Sequence, residues 1–298
     1  MDWRKVGMLS YEIFKNKLVA SIKDYLPIKY RNYSVELHTI NKINTIQDGL
    51  CVVDKSKPIA TAPVIYVDMM YAYYVRCGSL AETMKMAAES ILQGFYYTSV
   101  NQNVELSKDN IVLVLINYEK NKKLLKTVPH IKFLDLAYVF RWIVKIDDDG
   151  ISGSLVTNEI AKAFELDTDE LFELAKQNTK RLLPPKVAKL SDMLNKLIPE
   201  EFHSGFNAMP VYILTNEMAV EGAASIVYTE ILEQLRQQFH DNLILIPSSI
   251  NEWLVLPQSF APTDNISDMV HEVNLIAVAE NERLSDNVYL YDGKISQL

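Results

Sequence analysis

LILIPSSINEWLVL, residues 243–256, holds two short apolar runs, Leu243 to Ile246 and Trp253 to Leu256, joined by the polar turn Pro247-Ser248-Ser249-Ile250-Asn251-Glu252. Apolar runs of four residues bounded by turn residues read as strands. Two of them in succession, without a helix between, argue against the regular strand–helix alternation of a parallel sheet. Around this stretch the pattern gives a strand at Val211 to Leu214, a helix at Gly222 to Gln238, a helix at Ile266 to Val278 and a strand at Val288 to Tyr291. The expected class is α+β, with mixed or antiparallel sheets covered by helices.

Further upstream the chain is helix-rich. Ser10 to about Tyr25 places Ile13, Phe14, Leu18 and Ile22 on one face, with Pro27 after the stop. Val35 to Ile40 alternates apolar and polar, Leu50 to Val53 is a short apolar run, and Asn44 to Gly49 supplies turn residues for a hairpin. Val64 to Tyr74, dense in Tyr and Met, is expected to be a helix packed on both sides and ending at Gly78, with Ser79 capping the next helix, Leu80 to Tyr96. Asp109 to Val128 reads as more helix, broken around Asn117. Leu134 to Ile146 and Ile151 to Thr157 form a second hairpin across Asp147-Asp148-Asp149-Gly150. Helices follow at Glu159 to Phe164, at Thr168 to Leu182 with Thr168 as a single N-cap, and at Lys186 to Leu197. The expected division is a helix-rich lobe with a hairpin, residues 1–128, and an α+β lobe, residues 129–298, packed as one unit.

Composition narrows the class of protein. Over 298 residues, 49% are hydrophobic and 23% charged, as in ordinary globular chains. Cys51 and Cys77 give no CxxC and no Cys/His cluster, so neither a disulfide framework nor a zinc or other metal site is expected. The N-terminal stretch lacks the apolar core of a signal peptide, and the longest apolar runs fall short of the ~20 residues that span a bilayer. A cytoplasmic protein with no membrane partner is expected. The net charge of −8 is uneven: residues 200–298 carry three Lys/Arg against fifteen Asp/Glu, while residues 1–60 carry ten against six. So acidic a last third repels phosphate backbones and speaks against a nucleic-acid partner.

Motif by motif, the catalytic devices are incomplete. The Asp147 to Gly150 run lacks the alternate spacing and terminal Glu of a calcium loop. His271-Glu272 opens like a zincin helix, but position 275 is Leu275. No glycine-rich phosphate loop occurs, and no cofactor is expected. Ser248 and Ser249 lie on a strand-end turn without the GxSxG elbow or an identifiable base. Cys77 with His130 would need a proximity that spacing does not give. What remains is a polar rim: Thr215 and Asn216 at one strand end, followed by the small residues Gly222 to Ser225, and Ser248, Ser249 and Glu252 on the neighbouring turn. Ligands bind beyond strand ends near helix N-termini. The competing reading is turn chemistry, with small residues letting a helix sit close to the sheet.

The ordered set Val128-Pro129-His130, Phe133 to Ala137, Val211 to Asn216 with Gly222-Ala223, Ile246 to Ile250 through Glu252, and Met269-Val270 through Glu272-Val273-Asn274 resembles a domain-of-unknown-function family of Gram-positive, largely anaerobic gut bacteria. The resemblance implies a bacterial, cytoplasmic protein and carries no activity, cofactor or catalytic residue to transfer. In that family a histidine commonly precedes the glutamate of the serine turn. Here the position is Asn251, which weakens a His/Glu reading of the turn. Two functions are therefore expected, in order. The first is a non-catalytic intracellular binding or interaction protein with a protein or small-molecule partner. The second is a small-molecule enzyme using Thr215, Asn216, Ser248, Ser249 and Glu252.

Overall fold

The computed structural model describes residues 8–55, 63–100, 107–147, 150–195, 210–261 and 266–298. The chain divides into two compact units, one of residues 1–42 and 46–105, the other of residues 43–45 and 106–298.

In the first unit, helix α1 (Tyr11–Ser21) is followed by strands β1 (Ser34–Lys42), β2 (Thr45–Val53) and β3 (Val64–Tyr66), which form a sheet in that order. The turn between β1 and β2 is tighter than the Asn44–Gly49 stretch expected, because Asn44 takes the left-handed conformation at φ 59° that Asn tolerates. Helices α2 (Val67–Cys77) and α3 (Leu80–Val100) follow. Gly78, at φ 73°, ends α2 as expected, its N–H bonding to the Tyr74 carbonyl. The Ser79 hydroxyl accepts from the Glu82 amide and starts α3. Phe14 and Leu18 of α1 pack with Met70 and Tyr74 of α2 and with Met84 and Ile91 of α3. Val64–Tyr66 of the Tyr/Met run is thus strand and not helix, and the helix that follows is core on one side and not on both: Phe14 stacks on Tyr74, while Met69 is exposed on the other side.

The second unit opens on a departure from the sequence reading. Ile111 to Asn117 is a strand, β4, and not a helix; the residues beyond it form turns and a 3-10 turn at Leu124–Lys126. Ile111 to Ile116 are all buried, with Leu113 and Leu115 in one core cluster and Val114 and Ile116 in another. A strand covered on both faces has an unbroken apolar run and no alternation, so periodicity cannot separate it from a helix. β4 pairs antiparallel with β6 (Leu136–Asp147), which also pairs with β5 (His130–Phe133) and β7 (Gly150–Leu155). β4 and β6 lie on opposite sides of the Val128–Pro129 junction, so one sheet spans it. Asp148 and Asp149 lie outside the described residues.

Helices α4 (Asn158–Ala163) and α5 (Thr168–Leu182) match expectation, but the cap of α5 is Asp167 and not Thr168. Asp167 and Glu170 form a full capping box, which a shift of one residue had hidden. The helix expected at Lys186 to Leu197 divides into strand β8 (Pro185–Lys189) and the short helix α6 (Leu190–Leu194); residues 196 and 197 lie outside the described residues.

Strands β9 (Tyr212–Asn216), β10 (Leu243–Ser249), β11 (Glu252–Pro257), β12 (Tyr289–Tyr291) and β13 (Ile295–Gln297) complete a six-stranded antiparallel sheet ordered β13-β12-β10-β11-β9-β8. Leu243, Leu245, Trp253 and Val255 face the main core, which they share with β4, β6 and α5. Ile244, Ile246, Leu254 and Leu256 face the opposite side, against α8 (Ile266–Ala277). The helix expected from Gly222 is a 3-10 segment, Gly222–Val227, that breaks at Tyr228 before α7 (Thr229–Phe239). The α+β class, with antiparallel sheets covered by helices, stands.

Candidate functional site

The strand-end rim exists in space, at the end of the six-stranded sheet where β9 leads toward Gly222 and β10 turns into β11. Its side chains are largely engaged by the backbone. Thr215 is buried and its Oγ1 donates to the Asn251 carbonyl at 2.7 Å. Asn216 is buried, donates to the Val220 carbonyl at 2.8 Å and accepts from the Met218 amide at 3.0 Å, closing the loop that follows it. Ser249 Oγ accepts from the Asn251 amide, and Ser248 Oγ donates to Glu252 Oε1 at 3.1 Å beside an irregularity in the β10–β11 register. Asn251, the position where a histidine would complete the serine turn, instead accepts from the Glu221 amide at 2.9 Å through its side-chain oxygen.

Gly222 is there for closeness. A Cβ on it would come within 2.5 Å of the Asn251 carbonyl and 2.8 Å of the Asn216 amide nitrogen, and closer still to Thr215 Oγ1. Just before it, Ala219 and Glu221 are both left-handed at φ 52°, a costly conformation for residues with a Cβ. Glu221 is held there by Arg141 of β6 in a two-pronged pair, Arg141 Nε to Glu221 Oε2 at 2.8 Å and Arg141 Nη2 to Glu221 Oε1, with side-chain exposures of 18% and 10%. The chemistry of this end is the closure of a strained loop by an ion pair and an asparagine.

A second polar network escaped the sequence reading. Leu134, left-handed at φ 56°, turns β5 into β6 and leaves Asp135 at the turn. Asp135 accepts three hydrogen bonds, from Ser285 Oγ at 2.7 Å, Asn287 Nδ2 at 2.9 Å and Tyr289 OH at 2.6 Å. Burial and the neighbouring Asp135 carboxylate push the Tyr289 hydroxyl well above its ordinary value. Alongside, the buried Asn274 of α8 donates to the Ser285 carbonyl and to Asp286 Oδ1, and His271 Nδ1 lies 2.9 Å from Asp286 Oδ2. Burial pushes the Asp286 carboxyl up, but the Asn274 amide and the His271 ring outweigh it and leave it below the usual value. His271 is thus a helix-to-segment clamp. Among the described residues no His/Cys/Asp/Glu group could hold a metal ion.

α8 presents an unusual outer face. Val270 and Asn274 are buried against the sheet, while Met269, Val273, Leu275 and Ile276 are 52%, 56%, 56% and 87% exposed. Asp268, Glu272 and Glu280 stand exposed around them. Arg283, at this end, is turned to the helix C-terminus, where Nε donates to the Val278 carbonyl and Nη2 to that of Leu275. An open cleft of about 520 Å³ lies elsewhere, lined by Arg236, Gln237, His240, Asp241 and Asn242. Its walls are polar and tied to neighbours: Arg236 to Glu233, Asp241 to the Ser259 amide, Asn242 to Gln258.

Burial raises the Cys51 thiol, and Cys77 Sγ lies within hydrogen-bonding reach of the Ser79 carbonyl and Thr83 Oγ1, each at 3.6 Å. His130 Nδ1 lies 3.2 Å from the Val128 carbonyl, with its ring against Tyr118. Among the described residues no helix is long and apolar enough to cross a membrane.

No curated protein and no solved structure matches the chain. The model of a family of unknown function, DUF5688, matches residues 11–293, and the chain belongs to that family.

Proposed function

We propose that the protein is a non-catalytic interaction protein of the bacterial cytoplasm, in the Gram-positive setting that the sequence resemblance implies, and that it holds a protein partner on α8. The observation that carries this reading is the apolar outer face of α8, with Ile276 87% exposed beside Met269, Val273 and Leu275. Single exposed apolar residues are ordinary, but a contiguous group rimmed by charge marks an interaction surface. In this reading Thr215, Asn216, Ser248, Ser249 and Glu252 hold the strand end together, since their bonds run mainly to backbone or to one another.

Photo-crosslinking from position 273 in the native host tests it. A discrete protein adduct that disappears when Ile276→Ser is added is the expected result. Absence of an adduct, or adducts indifferent to Ile276→Ser, refutes the reading.

A further inference from the structure

We infer that the partner on α8 presents a basic amphipathic helix, docked with its apolar stripe on Met269, Val273 and Ile276 and its cations against Asp268, Glu272 and Glu280. This deepens the interaction reading above and rests on it. Met269, Val273 and Ile276 fall at i, i+4 and i+7, so they make one exposed stripe, roughly 100° round the helix from the sheet contact of Val270 and Asn274. Such a stripe suits side-by-side helix packing, in which apolar residues at this spacing on one helix interdigitate with those of another.

Charge then selects among occupants. Asp268 and Glu272 sit one residue before Met269 and Val273, along one flank of the stripe, and Glu280 follows the helix end. Residues 200–298 contain only Arg236, Arg283 and Lys294 as cations. Arg236 is paired with Glu233 and Arg283 bonds to helix carbonyls. Asp268, Glu272 and Glu280 thus place exposed negative charge beside the stripe. A second copy docked α8 to α8 would bring the same acids face to face across a twofold axis, and an anionic membrane would meet them as like charge. A cationic amphipathic helix satisfies both the stripe and the flank, and is steered in by that charge.

The test uses the full-length protein and a fluorescein-labelled synthetic helix of Leu and Lys, roughly 18 residues or five turns long, patterned so that the leucines share one face. Two controls accompany it: the same composition scrambled, and a Leu/Glu counterpart. The patterned Leu/Lys helix is expected to bind at least about tenfold more tightly than either control, as apolar anchors buried at an interface do. Val273→Ser with Ile276→Ser, and separately Asp268→Asn with Glu272→Gln, should each weaken it by about tenfold. Raising salt from about 50 mM to about 300 mM should weaken it as well. The charge variants leave the apolar stripe untouched, so they decide the question even if the serine variants fold poorly.

Equal binding of the scrambled helix, or indifference to both pairs of substitutions, overturns the inference. So does a dimer in light scattering that Val273→Ser with Ile276→Ser abolishes, which would make a second copy the occupant. Sedimentation with phosphatidylglycerol vesicles that depends on the same residues would overturn it in favour of a lipid surface. If position 273 crosslinks to a partner whose contacting segment is not basic, this inference falls and the interaction reading stands. Without any α8-dependent adduct, both fall.

Discussion

Glu221→Gln should destabilise the second unit by about 3 kcal/mol, because it leaves Arg141 largely buried without its counter-charge. Removing one member of a buried pair costs about 3–5 kcal/mol, and the 18% and 10% side-chain exposures of Arg141 and Glu221 put this pair near the lower end. With an m value of about 2 kcal/mol/M, the urea midpoint falls by about 1.5 M. Trp142 and Trp253 lie in this unit and Trp3 in the other, so tryptophan fluorescence in a Trp3→Phe background follows its unfolding. The backbone supplies an internal control. Glu221→Ala and Glu221→Gly both lose the pair, but glycine also relieves the left-handed conformation at φ 52°, a gain of about 1 kcal/mol. Glu221→Gly should therefore unfold about 0.5 M later than Glu221→Ala. Replacing both partners by apolar residues, Arg141→Met with Glu221→Leu, should recover much of the loss, since a buried pair is worth little against a well-packed apolar substitute. A midpoint for Glu221→Gln within about 0.3 M of wild type, or Glu221→Ala outlasting Glu221→Gly, refutes the assignment of pair and strain to this loop.

Two further outcomes follow from the same geometry. Gly222→Ala places a methyl against the Asn251 carbonyl and Thr215 Oγ1, so a loss of about 2 kcal/mol is expected from overpacking alone, read from the urea midpoint; a neutral substitution would show that the loop yields. Asp286 has its carboxyl held below the usual value, so its contribution is complete above the unfolded value of about 3.9 and is lost as pH falls through the lower folded value. Wild type should therefore lose more stability than Asp286→Asn in thermal melts taken below about pH 4, and parallel acid profiles would refute the clamp.

Which elements were legible follows from what each one buries. β10 and β11 are also covered on both faces, but each apolar run is only four residues long and flanking turn residues delimit it. α5 was legible because its apolar residues Leu171 and Ala175 keep helical spacing between a clear start and Pro184. β4 was misread because both of its faces are covered, which erases the period that distinguishes strand from helix. β8 was misread because Pro185-Lys186-Val187-Ala188-Lys189 owes its conformation to pairing with β9 and not to its own preferences. The sequence left open whether the turn at Ser248 and Ser249 lies beside the strand end at Thr215 and Asn216, because the two are more than thirty residues apart. The bonds that occupy them, and the partners of Asp135 at positions 285, 287 and 289, are set by tertiary contact across about half the chain and leave no trace in spacing.

The six-stranded sheet ends on one side with β8 and on the other with the three-residue β13. β8 begins at Pro185, which has no amide hydrogen to offer, and carries Lys186 and Lys189 along its short length. Both borders are thus poor templates for an incoming extended chain, since a short strand, a proline and lysines each frustrate ladder growth. Edge-on β-augmentation is thereby discouraged at this sheet, which leaves the docking proposed for α8, laid across its face, to proceed through side chains and not through backbone pairing.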